Sequence, residues 1–524
     1  MKYAKQLALG LLCLTPRADA NNVTSHTFFS ALPVSNLITN LTLNLLVDQD
    51  KEDGRALNKP TLQFAAFGGQ STNANGLRDF FFFNHKNSLL MNEAPLQEGG
   101  PAATQNALPG TGQDLIGSDF NIQTFNTAQA SSITINPKQS VVGGSLSLRL
   151  PFAQKFWATL EIPVMQVKNN LNLVETFTYG APFNAATNGV GLYDETTGRP
   201  SIPVATMIQA FRQDGMLYGR IEGIQKKAGI ADMTLKVGVD IKNQTDLYLT
   251  GYAGIIFPTG NRPNAEYMFE AIVGNNHHWA LLGGTYLQLF MNESKKTKTW
   301  LSMLFESEYL FENTQMRSFD LYNGPWTRYM QIFRNEGART LEEDIGAAPT
   351  AGARTWGINY FTQKVRVTPG YQGTFNINLG TFGKKWNGTL GLNTIVRQAE
   401  NVTLFEQWKI GPQIASLPLY GVSMSPGSLE PLRNISTLPS YAAQYGSTGI
   451  GGTVDQPFYV QEANLNLDSA AHPAARAHTA YATLGYYRQT DHPQNWQLGT
   501  SYEFSGQNTI LHRWMIWGSL QITF

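Results

Sequence analysis

Ten ionisable residues fall at alternate positions of segments rich in apolar side chains: Arg149, Glu161, Lys236, Asp240, Lys242, Glu306, Glu308, Arg366, Arg488 and Glu503. Both signs are present. Charges on one row of a strand can pair across an enclosed space, hydrate it, or sort solutes by size and charge at a constriction. Glu306 and Glu308 are two acids one pleat apart, which makes them the preferred members of such a filter.

Other residue sets invite catalytic or metal chemistry and fail on spacing. His277 and His278 adjoin Trp279 at the end of a Gly/Pro-rich stretch. A metal would need further converging ligands, so both read as loop residues at the start of a strand. Asp468, Ser469 and His472 carry the residue types of a hydrolytic triad within one short loop, too tight to orient all three without supporting partners. His478 and His512 lie in strands, yet a barrel lipase needs a matching Ser on the outer face, and none is evident. GTFGKKWNG at 380–388 lacks the Lys-Ser/Thr of a phosphate loop. No catalytic residue, metal or cofactor is expected.

The elements that carry these residues alternate with a period of two. In 232–242, Met233, Leu235, Val237, Val239 and Ile241 share a face opposite Asp232, Thr234, Lys236, Asp240 and Lys242. In 300–311, 365–379 and 495–504 the same division recurs. This is the period of strands, not of helices.

Composition narrows the class. The 524 residues are 15% charged and 11% aromatic, with 49 Gly and 25 Pro, and the mean hydropathy is −0.23. Charged content is low against an average of about 25%, and the polarity comes from Asn, Gln, Thr and Ser. Beyond the N-terminus no stretch reaches the roughly 20 apolar residues of a spanning helix. Lys and Arg number 38 against 38 Asp and Glu, which argues against nucleic acid, and a single Cys excludes a disulfide scaffold.

A soluble sandwich with one wet face also alternates. Three details favour a transmembrane antiparallel β-barrel. Trp279, Trp300, Trp386 and Trp496 stand near strand ends, as interfacial girdles do. Strands of about 10 to 13 residues suit a tilted span. The last strand alternates Trp514, Ile516, Gly518, Leu520, Ile522 and Phe524 with Met515, Trp517, Ser519, Gln521 and Thr523; Trp514, Ile516, Ile522 and Phe524 are expected to form a C-terminal assembly strand.

Candidate strands are 510–524, 496–504, 477–489, 386–400, 364–380, 300–312, 279–291, 246–257, 232–242, 156–168, 139–150 and about 121–135. That predicts a barrel of about 12 strands, with 12–16 tolerated and an even number required. Short connections (490–495, 381–385, 292–299, 243–245, 151–155) then share one side. Long ones (169–231, 258–278, 313–363, 401–476) become extracellular loops. Tyr459–Leu467 is treated as loop structure.

The opening MKYAKQLALGLLCLTPRADA has a basic n-region at Lys2 and Lys5, a short apolar core and an Ala18-Asp19-Ala20 cleavage site. It reads as a secretory signal peptide over 1–20, whose removal leaves 35 basic and 37 acidic groups. The barrel is assigned to 120–524. The intervening 21–119 contains TLNLLVD and TLQFAAF, one or two further strands, and the run Phe80, Phe81, Phe82 and Phe83. That run is an interface anchor, a buried N-terminal arm, or a plug that inserts aromatics into the barrel. Stretches 201–221 and 325–335 have partial helical spacing and either fold inward to narrow the pore or cap the mouth, the cap being preferred.

The signal peptide, amphipathic strands and terminal Phe resemble porin-type bacterial outer-membrane β-barrels. FPTGNRPNAEYMFEAIVGNNHHW (257–279) and NLDSAAHPAARAHTAYATLGY (466–486) look like recurring elements of a large, poorly characterised group of them. The resemblance covers roughly 120–524. It implies the bacterial outer membrane as location, lipid, lipopolysaccharide and the barrel assembly machinery as partners, and no catalytic residue.

The expected function is a porin-like channel for passive diffusion of small solutes, monomeric and not an enzyme. Three alternatives stand beside it: a surface-interaction barrel with a plugged lumen, a transporter of hydrophobic compounds with Phe80–Phe83 as its hatch, and, third, a barrel lipase.

Overall fold

Backbone N–H and C=O groups in a bilayer must all find partners, which an antiparallel sheet achieves only by closing on itself. The sheet closes. In the computed structural model of the chain, twelve antiparallel strands form one ring. They are β1 (Thr61–Ser71), β2 (Lys138–Phe152), β3 (Phe156–Asn170), β4 (Met233–Asn243), β5 (Leu247–Phe257), β6 (Ala280–Glu293), β7 (Lys298–Leu310), β8 (Gly370–Phe382), β9 (Trp386–Arg397), β10 (Ala475–Arg488), β11 (Gln494–Gln507) and β12 (Arg513–Thr523). Each pairs with its chain neighbours, and β1 joins β12 to β2, with Thr61 opposite both Thr523 and Arg149. An outer piece of the fourth strand, Ile224–Ile230, pairs with the upper part of β3.

The structure describes residues 26–28, 59–72, 74–82, 88–93, 115–116, 120, 122, 129–153, 155–179, 192–194, 199–201, 204–213, 215–244, 246–293, 297–322, 326–329, 331–335, 354–383, 385–408, 413–416, 419–422, 429–433, 458–459, 462–507 and 511–524. The expected signal peptide, TLNLLVD and Phe83 lie outside them.

Connection lengths fall as predicted. The short connections 153–155, 244–246, 294–297, 383–385 and 489–493 join strand ends on the side that holds Thr61 and Phe524, while the long ones 72–137, 171–223, 258–279, 311–369 and 398–474 leave from and return to strand ends on the other. Short periplasmic turns and long outer loops are the outer-membrane pattern. Tyr459 and Leu465 lie in loop structure, pairing with Ala415 and Leu321.

Two strand assignments are corrected. The barrel begins with Thr61–Ser71, in TLQFAAF, and not near 120. Gln129–Ile135 is no wall strand: with Leu173–Tyr179 it prolongs the β2–β3 hairpin above the barrel. The Asn136-Pro137 step separates it from β2. The span 364–380 is likewise two strands. Thr362–Thr368 belongs to an outer three-stranded sheet with Asn313–Ser318 and Asn401–Leu404. Pro369 offers no backbone N–H, and Gly370 takes a left-handed φ of 73° that a side chain would resist. Val365 and Val367 are therefore core residues of the loop sheet.

Large aromatics on the inner face each face a glycine across a strand boundary: Phe67 and Gly143, Trp157 and Gly238, Tyr252 and Gly284, Trp300 and Gly380, Tyr481 and Gly391, Trp517 and Gly499. A Cβ at any of these glycines would collide with the ring. The missing side chain lets the ring lie along the wall, where it covers bare backbone. Trp300, expected in the lipid-facing girdle, is one of these inner rings and is 1% exposed.

Candidate functional site: the barrel interior and its outer mouth

The outward positions decide the solvent. Val142, Val164, Leu281, Leu390, Leu484 and Leu498 are exposed on the outer face, where water would penalise so wide an apolar band. Aromatics frame the band at both margins. Phe257–Trp279, Tyr309–Phe311 and Tyr309–Tyr371 make ring contacts at the loop end. Phe152–Phe156, Trp386–Tyr486 and His492–Phe524 do so at the turn end. An apolar belt between two aromatic girdles on a closed barrel is built for acyl chains. The chain is an outer-membrane β-barrel. Trp514 and Ile516 face this belt, Ile522 shares their outward row, and Phe524 continues it at the turn-end margin.

Seven of the ten predicted ionisable residues point inward and are buried: Arg149, Glu161, Lys236, Asp240, Glu306, Glu308 and Glu503. The strand pleat dictates their side, and burial dictates that they find partners. Lys236 Nζ lies 3.0 Å from Glu306 Oε2 and 3.8 Å from Glu161 Oε1, and 5.3 Å from the Tyr252 ring centroid. The Tyr252 hydroxyl donates to Glu306 at 2.8 Å, and Gln372 donates to Glu308 at 3.3 Å. Towards the turn end the Tyr248 hydroxyl donates to Asp240 at 2.6 Å, and Arg149 stands 4.6 Å over the Trp157 ring. Arg513 donates to Glu503 at 2.9 Å.

Three predicted residues lie elsewhere. A β-bulge after Asp240 sets Lys242 opposite Leu249, on the outward row and exposed at the turn-end rim. Arg488 pairs with Gln494 on the outward row, also exposed at that rim. Arg366 sits above the membrane in the outer sheet, exposed, 5.4 Å from the Phe405 ring centroid. All three stand where a charge reaches water or headgroups, so the alternation that placed them inward fails at a bulge, a strand end and a Pro-Gly break.

Over the mouth the loops fold into a cap with its own apolar core. Phe80, Phe81 and Phe82, at the end of the helix Ala74–Phe81, are buried there with Phe211, Phe269, Trp326 and Tyr329. Trp326 Nε1 donates to the Phe81 carbonyl at 3.1 Å. These phenylalanines are core residues of the cap. Stretches 201–221 and 325–335 contribute Met207, Met216 and Trp326 to it, as a cap requires.

Where cap meets barrel, Arg317 and Arg397 share Glu400. Arg317 Nη1 donates to Oε2 at 3.0 Å and Arg397 Nη2 to Oε1 at 2.8 Å. Burial alone would raise the Glu400 carboxyl, but the two guanidiniums outweigh it and hold it at about 2. Burial lowers His278 and His472 nearby to about 4. Sequence reading missed this cluster, since its members come from three loops and a strand end. The only local signal was Arg397 and Glu400 three residues apart.

The remaining candidates make backbone or single side-chain contacts. His277 Nδ1 bonds the Gly260 carbonyl at 2.9 Å and His278 Nδ1 the Phe311 carbonyl at 2.8 Å. Ser469 donates to the Asn466 carbonyl and accepts the Asp320 N–H, and His472 Nδ1 contacts the Pro473 carbonyl. His478 Nδ1 lies 2.9 Å from Thr394 Oγ1. Among the described residues no group of three or more His, Cys, Asp or Glu converges on a metal position.

No family model and no curated protein matches the chain. Among solved structures it is similar to an outer membrane channel from Pseudomonas putida F1, at 9% identity over 91% of this chain and 100% of that one, with a TM-score of 0.35. It is also similar to a Pseudomonas aeruginosa FadL homologue, at 9% identity over 91% and 93%, TM-score 0.27. The Ralstonia pickettii toluene transporter TbuX aligns at 6% identity over 91% and 93%, TM-score 0.25. At such values the likenesses carry no argument; the strand register does.

Proposed function

We propose that the barrel is a channel for passive passage of small polar solutes across the outer membrane, restricted in size and charge. One observation carries this reading: Lys236 is bracketed by Glu306 at 3.0 Å and Glu161 at 3.8 Å on the inner wall. A barrel with a purely structural interior gains little from two acids about one ammonium, because buried pairs are seldom better than apolar packing. Around the cluster the wall is Ser, Thr, Asn and Gln, and both amide atoms of Gln288, Asn393 and Gln497 are buried without partners among the described residues. Such groups can serve the hydroxyls and carbonyls of a passing solute. The protein is read as a monomer without catalytic function.

Single-channel recording in planar bilayers tests this. Stable ionic steps with cation preference are expected, and Glu306→Gln with Glu308→Gln should reduce that preference. Silence would favour the surface-interaction role, and acyl hydrolysis in detergent would mean an enzyme. Transport of hydrophobic compounds has one observation in its favour, the apolar core of the cap around Phe81 and Phe211. Vesicle uptake of a monoaromatic without uptake of a sugar would select it.

A further inference from the structure

The two guanidiniums at the outer mouth hold more hydrogen-bond donors than the protein uses. Glu400 takes one N–H from each, and its Oε2 also accepts the His472 N–H at 3.0 Å. Arg317 further donates from Nη1 to the Ala470 carbonyl at 2.7 Å and from Nε to Gln315 at 2.9 Å. The Phe28 ring covers one guanidinium face, its centroid 3.2 Å from Cζ. Left over are the edges. Among the described residues Arg317 Nη2 and Arg397 Nε and Nη1 have no hydrogen-bond partner, on side chains 0% and 1% exposed.

A buried donor left unpaired on a charged group is costly, so such groups in a folded protein mark a place where a ligand can bind. Glu400 is the one carboxylate these two cations touch among the described residues. The next acids do not accept from the unused N–H groups: Glu308 accepts from Gln372, and Glu270 accepts the Asn264 and Ala265 N–H groups. Donors left over on two guanidiniums suit an anionic acceptor. Planar forks of N–H donors match a carboxylate edge-on.

We propose that Arg317 and Arg397 form a binding site for the carboxylate of a small anionic solute at the outer mouth, with Glu400 holding the two guanidiniums in place. This names a solute class for the channel and rests on the channel reading. The site is buried in this state, so binding follows an opening of the cap and is to be read at equilibrium.

Succinate serves as the probe, with glucose as the neutral control and phosphate as the non-planar anion. Calorimetry on the intact protein in detergent should show succinate binding, weaker phosphate binding and no response to glucose. In bilayers, succinate on the loop side should lower the unitary current. Arg397→Gln should raise the half-saturating concentration about tenfold or more, the loss of one charge-assisted bond. Arg397→Lys keeps the charge without the fork and should fall between; it also replaces the Gln variant if that fails to show the heat-modifiable mobility of a folded barrel. A conducting protein that binds no succinate overturns the site and leaves the channel standing. Succinate binding to a barrel that never conducts keeps the site and ends the channel reading.

Discussion

The Trp300 indole lies across Gly380, its direct partner on the neighbouring strand. Five further ring–glycine pairs repeat the arrangement around the wall. Each ring is thereby kept close to the wall. Gly380→Val should force the indole off the wall at a cost of about 1–3 kcal/mol, the usual penalty of overpacking. Urea unfolding of the barrel, followed by electrophoretic mobility, reads the loss. An unchanged midpoint would show that the ring has room elsewhere.

Lys236 neutralises part of a buried acidic cluster, and removing it strands the acids. Lys236→Met should destabilise the barrel by about 3–5 kcal/mol, as expected when one partner of a buried pair is lost. In protein that still folds, bilayer reversal potentials should move towards stronger cation preference. Arg366→Ala is the contrast. Exposed on the outer sheet, it should shift stability by no more than about 0.5 kcal/mol and leave selectivity alone.

Acid should loosen the cap in two stages. His278 and His472 titrate at about 4 in the fold against an ordinary 6.5, so the unfolded cap binds protons first and stability falls between pH 6.5 and about 4. Glu400, held at about 2, adds stability that is present above its ordinary value of 4.5 and is lost as pH falls through about 2. Hydrogen exchange at the Ala471 and His472 amides, corrected for the intrinsic rate, should accelerate from pH 7 to pH 5. Equal protection at both would remove the histidines from the account.

Phe81 is fully buried in the cap and contacts Phe269 edge-on at 5.8 Å between ring centroids. Phe81→Ala should cost the cap about 3–5 kcal/mol, raising protease cleavage in the outer loops while the barrel keeps its heat-modifiable mobility. Simultaneous collapse of both would mean that cap and barrel fold as one unit.

Much of this was open to view in the sequence because a strand in a membrane has one period and two solvents. Residues such as Leu235 and Lys236 are neighbours in the chain and must face opposite media, so alternation reveals lipid face, lumen face and the side on which the long loops gather. The same rule has no means of seeing where the ladder slips. The bulge after Asp240, the break at Pro369-Gly370 and the prolonged β2–β3 hairpin each depend on which backbone groups a partner strand presents. They moved Lys242, Arg366 and the first wall strand. Charges brought together from distant loops were equally hidden: Arg317 and Glu400 are 83 residues apart in the chain and 3.0 Å apart in space. Local pattern fixes which face a side chain takes; only closure of the ring and folding of the cap decide which side chains meet.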